Sequence, residues 1–414
     1  MDKILHTPEG VRDIYNTECE RKVSLENNLK TVIRTYGYED IQTPTFEYFD
    51  VFSKERGTVS SKYMYKFDDR EGNTLVLRPD ITPSIARCVA KYYKNETNPI
   101  RLCYLGNTFM NNHSYQGKLK ETTQMGVELV NDASVDADAE MIAMCIECLL
   151  ASNLTEFQIE IGQVEFFKAL AKEAELSVEE EEELRIRIED KNMFGIEEIL
   201  ASKNISDDLK NIFYKMPELF GSLDKIAVVK KMTKNAAALK AITYLEEIYE
   251  LLTVYGFEKY ISFDLGMLSM YNYYTSIVFR AYTYGTGDSI LGGGRYDHLV
   301  GQFGKEAPAI GMAIDIDQLM ISLTRQKKWV EGKKDHKLIL YPLSQRVRAI
   351  NMAKRYRKEN EIVELSSYQG RIDDDEIDTY LSQYKNGEVI VFRNNEEPDI
   401  YKFDCNQSCG SEER

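Results

Sequence analysis

The chain has 414 residues, 43% of them hydrophobic and 29% charged, and its formal net charge is −16. Because single hydrophobic cores stop growing near about 300 residues, this length predicts two or three folded domains and excludes both a small module and a disordered chain. The negative charge repels a polyphosphate backbone, and no apolar run approaches the ~20 residues of a membrane span, so we expect no nucleic-acid partner and no membrane.

The N-terminal part of the sequence alternates between helix and strand patterns. Apolar residues recur at helical spacing over 20–36, and residues 41–47 alternate like a strand that contains Pro44. Further β-rich segments, which predict two strand pairs, lie at 63–67, 74–78, 101–109 and 122–130. The first pair flanks a polar turn with Gly72, which predicts a hairpin.

From about residue 165 to 255 the sequence is helical and acidic. Ser177 stands three residues before Glu180, which predicts a capping box at the start of a helix. The glutamate run 179–183 is interpreted as a solvated helix face and not as a binding patch. We predict that this region is a helical insertion in a core domain that spans residues 1–325.

The C-terminal part returns to strands. They are predicted at about 261–266, 276–284 and 288–293, before a helix near 316–325. Together the elements predict a predominantly antiparallel sheet with helices, an α+β core. A polar linker is expected at 326–335, a small α/β domain at 336–403 and a flexible tail at 404–414.

The seven cysteines are scattered and odd in number, which predicts reduced thiols. The N-terminal residues lack the apolar core of a signal peptide, so a cytoplasmic protein is expected. Cys145 and Cys148 have a spacing that zinc sites use, but they lie in an apolar helical segment. We therefore expect core packing and no metal or other cofactor, and we assign no function to Cys405 and Cys409.

Polar groups and glycines combine in four segments that differ from plain core strands. Asp80 and Thr82 place a carboxylate and a hydroxyl two residues apart, which suits the capture of an ammonium group. Gln124 and Glu128 are four residues apart on one predicted strand, so they share a face. Tyrosines stand beside the glycines, where the backbone can approach a ligand closely, in the segments 271–275 and 291–297. The four segments predict an aromatic pocket with an acidic floor.

Taken in order, these segments resemble the catalytic core of histidyl-tRNA synthetase, a class II synthetase, over residues 7–319. Residues 41–44, 103–128 and 309–319 resemble its three class II motifs. The string Leu-Gly-Gly-Gly-Arg-Tyr-Asp at 291–297 is similar to the histidine-specific signature of the family. The resemblance implies a class II synthetase-like antiparallel sheet core with helices.

The resemblance also implies that the machinery for ATP activation is missing. Such enzymes neutralise the charge on the transferring phosphate with arginines. Met110, Ser269 and Gln318 stand where the family has these arginines, and Asn112 stands where it has the glutamate of the second motif. No catalytic residue is therefore expected, although Lys118 and Lys120 keep positive charge near the second motif and leave residual nucleotide binding open.

The positions that bind histidine in the family are retained. They are Asp80, Thr82, Gln124, Glu128, Tyr274 and Tyr296. The resemblance implies that the first three hold the α-ammonium group, while the last three meet the imidazole through carboxylate and phenol hydrogen bonds.

A histidine pocket without activation groups is similar to the regulatory subunits of ATP phosphoribosyltransferase, which are synthetase paralogues in histidine biosynthesis. The resemblance implies a non-catalytic partner that a short-form catalytic subunit needs for activity and that relays feedback inhibition by histidine. It also implies a homodimer core around Pro44 within a hetero-octamer.

Two alternatives stay open. The first is a divergent histidyl-tRNA synthetase, for which the start of the C-terminal region near Lys337 resembles an anticodon-binding domain. The acidic surroundings of this short region argue against reading tRNA. The second is a scaffold protein that no longer binds histidine.

Overall fold

The computed structural model of the protein describes residues 3–52, 59–112, 119–201, 203–268, 273–329, 336–383, 387–393 and 397–402. The chain divides into two compact units, residues 1–329 and 330–414. The α-helices are α1 (Asn16–Thr35), α2 (Thr82–Tyr92), α3 (Val135–Ala151), α4 (Val164–Glu173), α5 (Val178–Glu189), α6 (Met193–Ala201), α7 (Asp207–Lys215), α8 (Leu223–Val229), α9 (Ala236–Val254), α10 (Ile316–Arg325), α11 (Arg346–Lys358) and α12 (Asp374–Gln383). The strands are β1 (Glu39–Asp40), β2 (Phe46–Tyr48), β3 (Lys66–Asp68), β4 (Thr74–Leu77), β5 (Ile100–Phe109), β6 (Glu121–Val130), β7 (Phe157–Gln163), β8 (Phe220–Gly221), β9 (Ile261–Asp264), β10 (Ile277–Thr283), β11 (Leu291–Arg295), β12 (Ala309–Asp315), β13 (His336–Pro342), β14 (Ile362–Tyr368), β15 (Glu388–Val391) and β16 (Asp399–Lys402).

The first unit is built on a nine-stranded sheet in the order β1-β5-β6-β12-β11-β10-β7-β9-β8. The pairs β1–β5 and β7–β9 are parallel, and the other neighbours are antiparallel. The predicted, predominantly antiparallel sheet with helices is therefore confirmed. A separate three-stranded sheet has the order β2-β4-β3.

Helix α3 lies in the main hydrophobic core with α1 and α9. Its side chains are apolar over most of its circumference, as expected for a helix that is covered on several sides. Cys145 and Cys148 are fully buried free thiols in this helix. The predicted core packing of this cysteine pair is therefore confirmed.

Residues 164–254 connect β7 to β9 through helices α4 to α9 and the short strand β8. Helix α5 begins with the predicted capping box. The Ser177 hydroxyl accepts the backbone N–H of Glu180, and the Glu180 carboxylate accepts the backbone N–H of Ser177. Helix α9 packs against α3 and α4, which anchors the helical segment on the main core.

The strand predicted at 41–47 is wrong in its position. Strand β1 ends at Asp40, β2 begins at Phe46, and the segment between them is irregular. Pro44 has no N–H to give to a sheet. The carbonyls of Thr43 and Pro44 accept hydrogen bonds from the buried Arg78 guanidinium instead of from a neighbouring strand.

The second unit has a four-stranded sheet in the order β14-β13-β15-β16. The first three strands are parallel, and β16 is antiparallel to β15. Side chains alternate across β13, so Leu338 and Leu340 pack with α12 while Ile339 packs with α11. Among the helices in the described ranges, none combines the length and apolarity that crossing a membrane requires.

Candidate functional site

One face of the nine-stranded sheet carries a row of small residues between two large polar side chains. The strand register places Gly126, Ala313 and Gly292 opposite one another, with Tyr104 at one end and Arg280 at the other. Since neighbouring strands are about 4.8 Å apart, the row is about 19 Å long. The small residues Ala313 and Gly292 leave space above the sheet for a ligand.

A cavity of about 520 Å³ lies on this face of the sheet. All six residues predicted to bind histidine line it: Asp80, Thr82, Gln124, Glu128, Tyr274 and Tyr296. They come from β6, from the start of α2 and from the residues that flank β10 and β11. The structure therefore brings together side chains that are more than 200 residues apart in the sequence.

Glu128 is the buried acceptor in this cavity, with only 1% of its surface exposed. The Thr82 hydroxyl donates to its Oε1 over 2.7 Å, and the Tyr296 hydroxyl donates to its Oε2. Burial raises the pKa of Glu128 to about 8, and nearby Asp80 adds to the increase, although the two hydroxyl donors act in the opposite direction. Thr82 therefore helps to hold the Glu128 carboxyl group in place.

Gly311 provides the room for this carboxylate. It pairs with Glu128 across β12 and β6, and a Cβ at position 311 would overlap the Glu128 carboxylate. Gly126 likewise leaves space for the ring of Tyr104. These close approaches require glycine because a side chain would fill the space that the buried polar groups occupy.

Asp80 lies immediately before α2, where its Oδ1 accepts the backbone N–H groups of Ile81 and Thr82 at 2.6 and 3.2 Å. The neighbouring Arg78 is 7% exposed and fixes this segment to the strand beside it. Its Nε donates to the backbone oxygen of Asn107 on β5 over 2.8 Å. Arg78 thus has a structural role, whereas Asp80 lines the cavity.

Gln124 contributes an unsatisfied acceptor. Among the described residues, its buried side-chain oxygen has no hydrogen-bond partner. A buried amide oxygen without a partner loses free energy, so a ligand N–H at this position would be stabilising.

Three tyrosines form the aromatic wall of the cavity. The rings of Tyr273 and Tyr274 lie 4.6 Å apart, and Tyr273 meets Tyr296 edge-to-face at 5.6 Å. Sequence reasoning missed a fourth tyrosine, Tyr104, which is 4% exposed and packs in the same hydrophobic cluster as these three without lining the cavity. Burial, and next the charge of Glu128, raise the pKa of the Tyr104 phenol. The signal that would have found it is Gly126 on the paired strand, a glycine inside a strand pattern.

Only some of the positions predicted to have lost activation groups line the cavity. Met110 and Gln318 line the cavity, whereas Asn112 lies outside its wall. Ser269 and Lys118 lie outside the described residues. The backbone N–H of Lys120 donates to the carbonyl of Gly10 over 2.7 Å.

The cavity wall also contains charged residues that sequence reasoning missed, namely Arg280, Asp288 and Asp315, of which Asp315 pairs directly with Gln124 across β12 and β6. Burial raises the pKa of Asp315 to about 6. Arg280 lies three strands from Gln124, about 14 Å across the sheet. Within the described residues, no group of three or more His, Cys, Asp or Glu side chains is arranged to hold a metal ion.

Comparison with known proteins shows the family to which this chain belongs. A sequence model of histidyl-tRNA synthetase matches residues 10–319. An ATP phosphoribosyltransferase regulatory subunit from Acetivibrio thermocellus is 44% identical over 361 residues, which cover 87% of this chain and 86% of the relative. The chain belongs to the ATP phosphoribosyltransferase regulatory subunit family.

Two further comparisons agree with this family. The regulatory subunit from Ruminiclostridium cellulolyticum is 42% identical over 402 residues, which cover 97% of this chain and 96% of the relative. The crystal structure of an ATP phosphoribosyltransferase regulatory subunit/histidyl-tRNA synthetase from Bacillus halodurans matches with a TM-score of 0.83 at 32% identity, covering 94% of this chain and 99% of that one. The predicted class II synthetase-like fold is confirmed.

Proposed function

We propose that the protein is the non-catalytic regulatory subunit of ATP phosphoribosyltransferase in histidine biosynthesis and that it binds histidine in the 520 Å³ cavity. A short-form catalytic subunit needs it for activity, and histidine inhibits through it. The observation that carries the proposal is the convergence of six histidine-family positions around Glu128 in a member of this family.

Two parts of the cavity suit the two ends of histidine. Asp80 and the unpartnered oxygen of Gln124 provide acceptors for the α-ammonium group. Glu128 provides a buried acceptor for an imidazole N–H, and the phenol of Tyr274 contributes to the same wall. Thr82 and Tyr296 orient the Glu128 carboxylate through their hydroxyl groups. An imidazole N–H that donates to Glu128 favours its ionised form, and charge-assisted hydrogen bonds in a buried site are the strong ones, so Glu128 should dominate affinity.

Two described positions of the same cavity lack the cations that adenylate formation uses. Met110 and Gln318 line it where the synthetase family has arginines. Neither side chain carries the positive charge that would stabilise a phosphate in the transition state, and each such loss costs about 10² to 10³ in rate. We therefore expect no pyrophosphate exchange with histidine and ATP, and measurable turnover would favour the divergent synthetase instead.

A homodimer fits the surface around the three-stranded sheet. Phe46, Tyr48 and Phe67 expose 52%, 56% and 41% of their surface there, close to Pro44 in the sequence. A cluster of exposed aromatic side chains is typical of an interaction surface. We propose that two copies pair through this sheet and that catalytic subunits add symmetrically to give a hetero-octamer.

Titration calorimetry with histidine tests the effector site. The wild-type protein should bind histidine, and Glu128→Gln should weaken binding about 10-fold or more, because glutamine cannot ionise and replaces one acceptor oxygen with an amide NH2 group. Glu121→Gln on the same strand is the matched control, since Glu121 accepts from Asn107 and lies outside the cavity wall. Absence of binding to the wild-type protein would favour the scaffold alternative.

A further inference from the structure

The arginine of the Leu-Gly-Gly-Gly-Arg-Tyr-Asp string does not line the cavity. Arg295 forms a buried ion pair with Asp138 of α3, in which the two side chains are 4% and 0% exposed. Its Nε lies 2.9 and 3.1 Å from the two carboxylate oxygens, and its NH1 donates to the backbone oxygen of Asp132 over 2.9 Å. Breaking such a pair leaves an uncompensated buried charge, so its geometry is strongly held.

Hydrogen bonds connect the ion pair to the residues that follow Tyr274 and flank Tyr296 in the aromatic wall. The backbone N–H of Thr275 donates to the carbonyl of Arg295 over 2.8 Å. The Thr275 hydroxyl donates to Asp297 over 3.0 Å, and the other oxygen of Asp297 accepts from Arg295. Tyr274 and Tyr296 are chain neighbours of these residues. Their positions in the cavity therefore depend on the same network.

The hydrogen-bond network around Arg295 and Asp138 also includes a residue of helix α9. The hydroxyl of Tyr244, on α9, donates to Asp138 over 2.7 Å. Asp138 thus receives donors from the cavity strand β11 and from α9 at the same time. Chains of hydrogen bonds in a buried environment strengthen one another, and displacement of one member disturbs the others.

We propose that Tyr244 is a positioning residue that couples α9 to the cavity through Asp138 and Arg295. Histidine binding fixes the positions of Tyr274 and Tyr296. Because their backbone neighbours are bonded to Arg295, the ion pair of Arg295 with Asp138 is restrained as well, and α9 becomes more rigid through the bond from Tyr244 to Asp138. By linkage, restraint of α9 raises the affinity for histidine by the same factor. The inference rests on the proposed histidine site, to which it connects α9 through named hydrogen bonds.

Hydrogen exchange with and without histidine tests the coupling in Tyr244→Phe, which removes only the hydroxyl group. Tyr249→Phe is the matched control, because Tyr249 lies on the same helix and its ring packs against Phe263. In the wild-type protein and in the control, histidine should slow exchange in residues 236–254 at least about 3-fold. In Tyr244→Phe this slowing should disappear, and the Kd for histidine should rise about 3- to 10-fold.

The outcomes separate coupling from simple stabilisation. If Tyr244→Phe lowers the Tm but leaves both the Kd and the histidine-dependent exchange of α9 unchanged, the hydroxyl is only structural and the inference is overturned. If histidine protects β6 and β11 but not α9 in the wild-type protein, the inference is also overturned while the histidine site stands. If histidine protects none of these elements, the proposed function fails and this inference falls with it.

Discussion

Glu128 is a carboxyl group held away from water by the protein that surrounds it. Burial raises its pKa to about 8, whereas an exposed glutamate titrates near 4.3. Between these two values the folded protein binds a proton that the unfolded chain has lost. The free energy of unfolding should therefore fall as the pH rises through this window, and the fall should end near pH 8.

Glu128→Gln removes this titration. Thermal unfolding of the empty protein from pH 5 to pH 8 should show a decline in the wild-type Tm relative to that of the variant, because glutamine does not ionise. Other groups titrate equally in both proteins and cancel in the difference. Parallel pH profiles for the two proteins would contradict a raised Glu128 pKa.

Gly311→Ala tests how tightly the Glu128 carboxylate is enclosed. The added Cβ would overlap that carboxylate, which two hydroxyl groups hold in place, so we expect a loss of about 1–3 kcal/mol in the free energy of unfolding. Gly292→Ala is the control, since its Cβ would meet only the Phe279 carbonyl, at 3.9 Å. Urea denaturation of both variants gives the comparison, and equal losses would show that Gly311 has no special role.

At this scale the sequence predicted part of the site for clear reasons. The four-residue spacing of Gln124 and Glu128 places both on one face of β6, and strand periodicity is a local property. Tyr104 and Arg280 were missed because their proximity to the cavity depends on the register of β5 and β10, which no local pattern encodes. The bond from Thr82 to Glu128 likewise joins distant segments.

Between elements, the buried Arg78 joins the irregular segment after β1 to strand β5. Its guanidinium donates to the backbone oxygens of Thr43, Pro44 and Asn107 at 3.0, 3.3 and 2.8 Å. The planar, branched donor group reaches these acceptors in different directions. This arrangement fixes the entry into α2, where Asp80 faces the cavity.

Arg78→Lys should therefore be costly although the charge is kept. A lysine ammonium cannot reach all three carbonyls, so we expect the free energy of unfolding to fall by about 2–3 kcal/mol. Arg70→Lys, at an exposed position in the hairpin turn, should change it by less than about 0.5 kcal/mol. Urea denaturation measures both, and a small effect at Arg78 would contradict its role in joining the elements.

Helices with strong end signals were the most predictable elements. Helix α10 begins at Ile316 and ends at Arg325, as predicted, with Asp315 accepting the backbone N–H of Gln318 at its start. The strand predicted at 41–47 failed because the carbonyls of Thr43 and Pro44 bond to the distant Arg78 and not to a neighbouring strand. Capping is decided within four residues, whereas the partners of a strand are decided by the whole fold.

For the whole molecule, the resemblance of the motifs to histidyl-tRNA synthetase, taken in their order along the chain, predicted the family. A net charge of −16 is unfavourable for a tRNA-binding enzyme, and the family comparison agrees with a regulatory protein. The coupling of the cavity to the helical segment was not visible in the sequence. It depends on Asp138, Arg295 and Tyr244, which lie on three elements and meet only after folding.

The most direct test measures ATP phosphoribosyltransferase activity of a short-form catalytic subunit, alone and mixed with this protein, while histidine is titrated into the mixture. We predict that this protein activates the catalytic subunit and that histidine reverses the activation. The Glu128→Gln variant should activate normally but require histidine concentrations about 10-fold higher or more for inhibition. A mixture no more active than the catalytic subunit alone would contradict the regulatory role.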